Sequence, residues 1–195
     1  MRPSSFSYLQ LALGFSMLEV LISIVLLSLG MLAAIGLQAT ALQAHQASRL
    51  HSAGVRLANE LAELIHSNPA SHHHSHSHPY LLDVNAHAVP AADTLCGTPH
   101  LAACTTPEAI AQRDIHDWLQ RLGDVEHGGL PDFRAVVCFD QTPYDSTHGL
   151  AQWRCSHSGD TLTIKLGWRV PGSTTSPAAD NDRPFVITSL IQGSD

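Results

Sequence analysis

The side chains in this chain best suited to chemistry are its thiols and imidazoles. Cys155-x-His157 and Cys96-x-x-x-His100 each place a sulfur near a ring nitrogen. Such a pair serves a metal site or an activated nucleophile. A denser cluster is the tract SNPASHHHSHSH from Ser67 to His78, which holds His72, His73, His74, His76 and His78. Imidazole suits zinc, nickel and copper, and the tract would gain positive charge near about pH 6. Its spacing is not that of a fixed ligand set, so the plainer expectation is a solvated low-complexity loop and no firm metal site. The strings His-Glu-x-x-His, Gly-x-Ser-x-Gly and Gly-x-x-x-x-Gly-Lys are absent. The expectation is therefore a protein that is not an enzyme and carries no cofactor.

Four cysteines, Cys96, Cys104, Cys138 and Cys155, all follow the hydrophobic N-terminal segment. An even count in an exported portion points to disulfides rather than reactive thiols. Four cysteines allow three pairings. Proximity favours Cys96 with Cys104 and Cys138 with Cys155, because closure entropy grows with loop length.

These groups need elements to hold them. The chain has 195 residues, a formal net charge of −7 and 10 Lys and Arg. A basic patch is missing from the sequence, so no nucleic-acid partner is expected. The run Val20 to Leu37 is apolar apart from Ser23 and Ser28. As a helix it spans roughly 27 Å, the thickness of a bilayer core, and a hydroxyl can bond a backbone carbonyl one turn earlier. A buried core helix would be apolar on one face rather than on all of them. An ordinary signal peptide would be cut near Gln38 to Ala41. Two features oppose it. Arg2 is the one basic residue before Gly14, and Glu19 puts a carboxylate at the mouth of the run. A charge there is costly without a partner.

The string Gly14-Phe15-Ser16-Met17-Leu18-Glu19-Val20-Leu21 resembles the class III signal of type IV prepilins and type II secretion pseudopilins. The resemblance implies cleavage between Gly14 and Phe15 by prepilin peptidase, N-methylation of Phe15, and a role for Glu19 in pairing with the N-terminal amine of a neighbouring subunit. It also implies residence in the bacterial inner membrane with the C-terminal domain in the periplasm, and on the surface after assembly. Inner-membrane lipid and other pilin subunits would be the partners. A buried carboxylate and ammonium lower each other's burial cost and can set register even where the pair adds little net stability.

Beyond Leu42 the pattern turns amphipathic. Leu50, Gly54, Leu57, Leu61, Leu64 and Ile65 share one helical face, and Pro69 ends the helix. The expected organisation is a leader at 1–14, a helix at 15–68 that crosses the membrane over about 17–38, and a periplasmic domain at 69–195 with a histidine-rich loop at 71–78. Pro79 to Thr105 reads as irregular. Thr105-Thr106-Pro107-Glu108 starts a helix, with Thr105 and Glu108 as a capping box or Thr106 and Pro107 as N-cap and first residue. Ala111, Ile115, Trp118, Leu119 and Leu122 mark its apolar face.

Strands are expected at Phe133 to Phe139, Leu162 to Val170 and Phe185 to Ile191. In the second, Leu162, Ile164, Leu166, Trp168 and Val170 alternate with Thr163, Lys165, Gly167 and Arg169, the mark of a half-buried strand. Gly167 would mark a bulge or a close backbone approach. The fold class is α+β: a long N-terminal helix, transmembrane then amphipathic, packed on a small antiparallel sheet. Asp114 to Trp118, Val136 to Asp140, Thr161 to Trp168 and Phe185 to Leu190 resemble the minor-pilin branch called type IV pilus modification protein PilV. That likeness implies a low-abundance subunit that primes pilus assembly and serves motility or adhesion. Two alternatives stand beside it: a minor pseudopilin of type II secretion, and a membrane-tethered periplasmic protein that binds metal through the histidine tract.

Overall fold

The computed structural model of the chain describes residues 16–68, 78–89, 96, 103–145, 147, 151–170 and 185–191. The chain has an α+β fold. Helix α1 (Met17–Ser67) is followed by β1 (Leu82–Asn85), α2 (Pro107–Gly123), a 3-10 turn (Val125–His127), β2 (Arg134–Phe139), β3 (Thr161–Gly167) and β4 (Phe185–Ile191). The strands form one antiparallel sheet in the order β1-β2-β3-β4. The chain divides into two units at His45 and Gln46.

In the first unit every residue from Met17 to His45 is exposed. The hydroxyls at this end bond backward along their own helix, as the apolar surroundings require. Ser23 Oγ donates to the Glu19 carbonyl at 2.7 Å, Ser28 Oγ to Val25 at 2.8 Å and Thr40 Oγ1 to Leu37 at 2.9 Å. The helix is long and apolar enough to cross a membrane, which makes it a candidate anchor.

The second unit holds the core. Leu57, Ala58, Leu61 and Ile65 of α1 are buried with Trp118, Leu119 and Leu122 of α2 and with the inward side chains Ala135, Val137, Phe139, Leu162, Ile164 and Leu166 of the sheet. The compact unit thus begins within the helix, at Gln46, rather than after it. Gly54 lets Trp168 approach the helix: a Cβ there would stand 2.7 Å from Trp168 Cζ3. Trp118 Nε1 donates to the Leu57 carbonyl at 2.9 Å, which ties α2 to α1.

Helix α2 starts as Thr106 and Pro107 predict. Thr106 is the N-cap, its hydroxyl accepts from the Ala109 N–H at 3.2 Å, and Pro107 takes the first turn where no N–H is needed. The helix stops at Gly123, and Gly128 closes the following turn at φ 93°.

Three expectations need correction. The region expected to be irregular contains β1, whose four residues pair with β2 from Leu82↔Val137 to Asn85↔Arg134. Strand β3 is not half-buried, because Thr163 and Lys165 on its outer face are both fully buried. Gly167 makes no bulge: it pairs in register with Arg134 and Phe185 as the last residue of β3, so Trp168 and Val170 lie beyond the strand.

Candidate functional site

Two places in the chain combine charge with an unusual setting. The first is the start of α1. Ser16 caps the helix, its hydroxyl accepting from the Leu18 N–H at 3.3 Å. Ser16-x-x-Glu19 is also the pattern of a capping box, a signal carried by the local sequence alone. The reciprocal half of that box is not made among the described residues. Glu19 keeps an exposed carboxylate with no hydrogen-bond or ion-pair partner among them. It stands in the first turn, where the helix dipole favours a negative charge. Gly14 and Phe15 lie outside the described residues.

The second place is the outer face of the sheet. Val136, Cys138, Trp153 and Cys155 form a small apolar cluster there, separate from the main core. Residues 152–156 lie over β2 and β3 and bury what the strand pattern would leave to solvent. Cys138 and Cys155 form a disulfide with 6.3 Å between their Cα atoms, and Cys96 and Cys104 form another at 5.1 Å. The sulfurs near His157 and His100 are therefore bonded to other sulfurs, and His100 itself lies outside the described residues. Neither cysteine–histidine pair is a nucleophile.

Beside the Cys138–Cys155 disulfide lies a buried ion pair, Lys165 with Asp140, both side chains fully buried. Lys165 Nζ donates to Asp140 Oδ2, to the Gln152 carbonyl at 2.7 Å and to the Arg154 carbonyl at 3.0 Å. All three ammonium donors are thus used. Asp140 Oδ1 accepts from the backbone N–H groups of Thr142 at 3.0 Å and Ser156 at 3.2 Å. Burial pushes the Asp140 carboxyl up, but the hydrogen bonds from Lys165, Thr142 and Ser156 outweigh it and hold the group below its ordinary value. The ligand atoms of Cys138, Asp140 and Cys155 lie within 4.8 Å of one another, near enough to share a metal ion. Disulfide sulfurs offer no thiolate, and the carboxylate already faces an ammonium, so this trio does not read as a metal centre.

Of the histidine tract, His72, His73, His74 and His76 lie outside the described residues. His78 does not belong to a solvated loop. It is buried, its Nδ1 accepts from the Tyr80 N–H at 3.4 Å, and its ring meets Phe139 edge-on. A polar network sits beside it. Tyr80 donates its hydroxyl to Asp114 Oδ2 at 2.7 Å, and Asn68 Nδ2 donates to the Tyr80 oxygen at 3.1 Å and to the Pro107 carbonyl at 2.8 Å. Burial first, and then the Asp114 carboxylate, push the Tyr80 phenol well above its ordinary range, so it stays a donor. The network joins the end of α1, the segment before β1 and the start of α2.

A cleft of about 1020 Å³ opens between β1 and the covering segment, lined by Leu82, Asp83, Arg134, Gln152, Trp153 and His157 among others. Arg134 stacks on the Trp153 ring at 4.7 Å and pairs with Asp83 Oδ2 at 3.3 Å, which fixes the wall of the cleft. No family model, curated protein or solved structure matches the chain.

Proposed function

We propose that this chain is a minor pilin of a type IV pilus, cut between Gly14 and Phe15, held in the bacterial inner membrane by α1 and assembled with other pilin subunits. One observation carries the reading: Glu19 presents an exposed carboxylate, unpartnered among the described residues, at the mouth of an exposed apolar helix. A charge at membrane depth is costly, and a counter-charge lowers that cost. The described part of this chain supplies none, and the methylated terminal amine of a neighbouring subunit would. The apolar surface from Leu18 to Leu42 needs lipid before assembly and other helices after it. Two disulfides fit a domain on the oxidising side of the membrane.

Complementation of a deletion strain of the host bacterium tests this. The wild-type chain restores surface pili and twitching. Glu19→Ala accumulates to wild-type level in the membrane and restores neither. Rescue by Glu19→Ala would remove the assembly role. A deletion strain that loses protein secretion but keeps twitching would instead assign the chain to a type II secretion pseudopilus.

A further inference from the structure

The buried Lys165–Asp140 pair is explained neither by anchoring nor by assembly. Burying two charges is a poor way to gain stability, since a well-packed apolar pair of similar volume does as well or better. What the pair provides is placement. Lys165 Nζ grips the Arg154 carbonyl, and Asp140 Oδ1 grips the Ser156 N–H. These are the two backbone neighbours of Cys155. Asp140 lies two residues past Cys138, and its own backbone is fixed to β3: the Asp140 N–H donates to the Thr161 carbonyl at 3.0 Å, and Thr163 Oγ1 donates to the Asp140 carbonyl at 3.3 Å. Every one of these contacts is non-covalent.

We propose that the Lys165–Asp140 clamp is a template for oxidation: it lays the 152–156 segment on β3 and brings the Cys155 thiol to Cys138 before the bond forms, excluding the two crossed pairings with Cys96 and Cys104. The chemistry is ordinary thiol–disulfide exchange with an external small-molecule disulfide such as oxidised glutathione. One cysteine thiolate attacks that disulfide and expels a glutathione thiolate. The second cysteine thiolate then attacks the protein sulfur of the mixed disulfide and expels the other. Two protein thiols lose two electrons and two protons, and one oxidised glutathione becomes two reduced molecules. Lys165 and Asp140 take no part in the electron transfer and act as positioning residues.

The test is oxidative refolding of the reduced, denatured full chain into detergent micelles with a glutathione couple, the disulfides being mapped by peptide mass spectrometry. Removing one partner strands a buried charge, so the main variant is Lys165→Met with Asp140→Leu. The ratio of native to crossed pairing is expected to fall about tenfold, in line with the loss of charged hydrogen bonds. Wild-type connectivity at the wild-type rate in this variant would overturn the proposal. The converse variant, Cys138→Ser with Cys155→Ser, keeps the clamp and removes the bond. The Ser156 amide, held by Asp140, is expected to stay protected from hydrogen exchange there. Wild-type-like protection supports the template, and loss of that protection would show that the disulfide orders the segment and the clamp does not.

Discussion

The two halves of α1 obey opposite rules. From Met17 to His45 the apolar side chains cover all faces of the helix and none is buried. From Gln46 to Ser67 they keep to one face, and Leu57, Leu61 and Ile65 are almost completely enclosed. In the first half the exposed apolar surface makes the helix a candidate membrane anchor, and the single charge, Glu19, lies at its edge. In the second half the partner is the chain's own sheet and α2, so polar residues take the opposite face. The two halves differ in how much of the helix is apolar, and the second differs also in how its apolar residues are distributed around the axis.

The same substitution made in each half should break the symmetry most visibly. Leu61→Ala is expected to lower the stability of the folded domain by about 2–5 kcal/mol in chemical denaturation, through lost contacts and a residual cavity. Leu27→Ala, on the exposed half, is expected to leave that transition within about 0.5 kcal/mol. Equal losses from both would contradict this contrast between the halves. The glycines sharpen the contrast by a smaller amount. Gly54→Val drives a side chain into Trp168 and is expected to cost about 1–3 kcal/mol. Gly30→Val meets nothing within 4 Å, and the same denaturation curve should not move.

Much of this division was legible in the residues. The all-round apolar run and the later three-and-four spacing located both halves of α1, and Thr106-Pro107 located the start of α2. Strand β1 was not legible, because Leu82-Asp83-Val84-Asn85 offers only two alternations and owes its structure to pairing with β2. The outer face of β3 was misread for a different reason. Alternation reports which residues are apolar, and it cannot see a charged lysine buried against a carboxylate 25 positions away. A signal was present all the same. Cys138 alternates with Val137 and Phe139, so a disulfide from Cys138 requires chain on the outer face of the sheet. His78 shows the same limit, because composition assigned it to the tract while Tyr80 and Phe139 place it in the domain. Glu19 could be located from the sequence, but the described residues give its carboxylate no partner from which a role could be read.

As the proposed assembling subunit, the chain would keep α1 whole after processing, which a targeting segment would not. Intact mass spectrometry of the protein purified from its native host tests this most directly. The expected mature chain begins at N-methylated Phe15 and retains the whole apolar helix. A mature chain that begins between Ala39 and Leu42, released from the membrane, would contradict it.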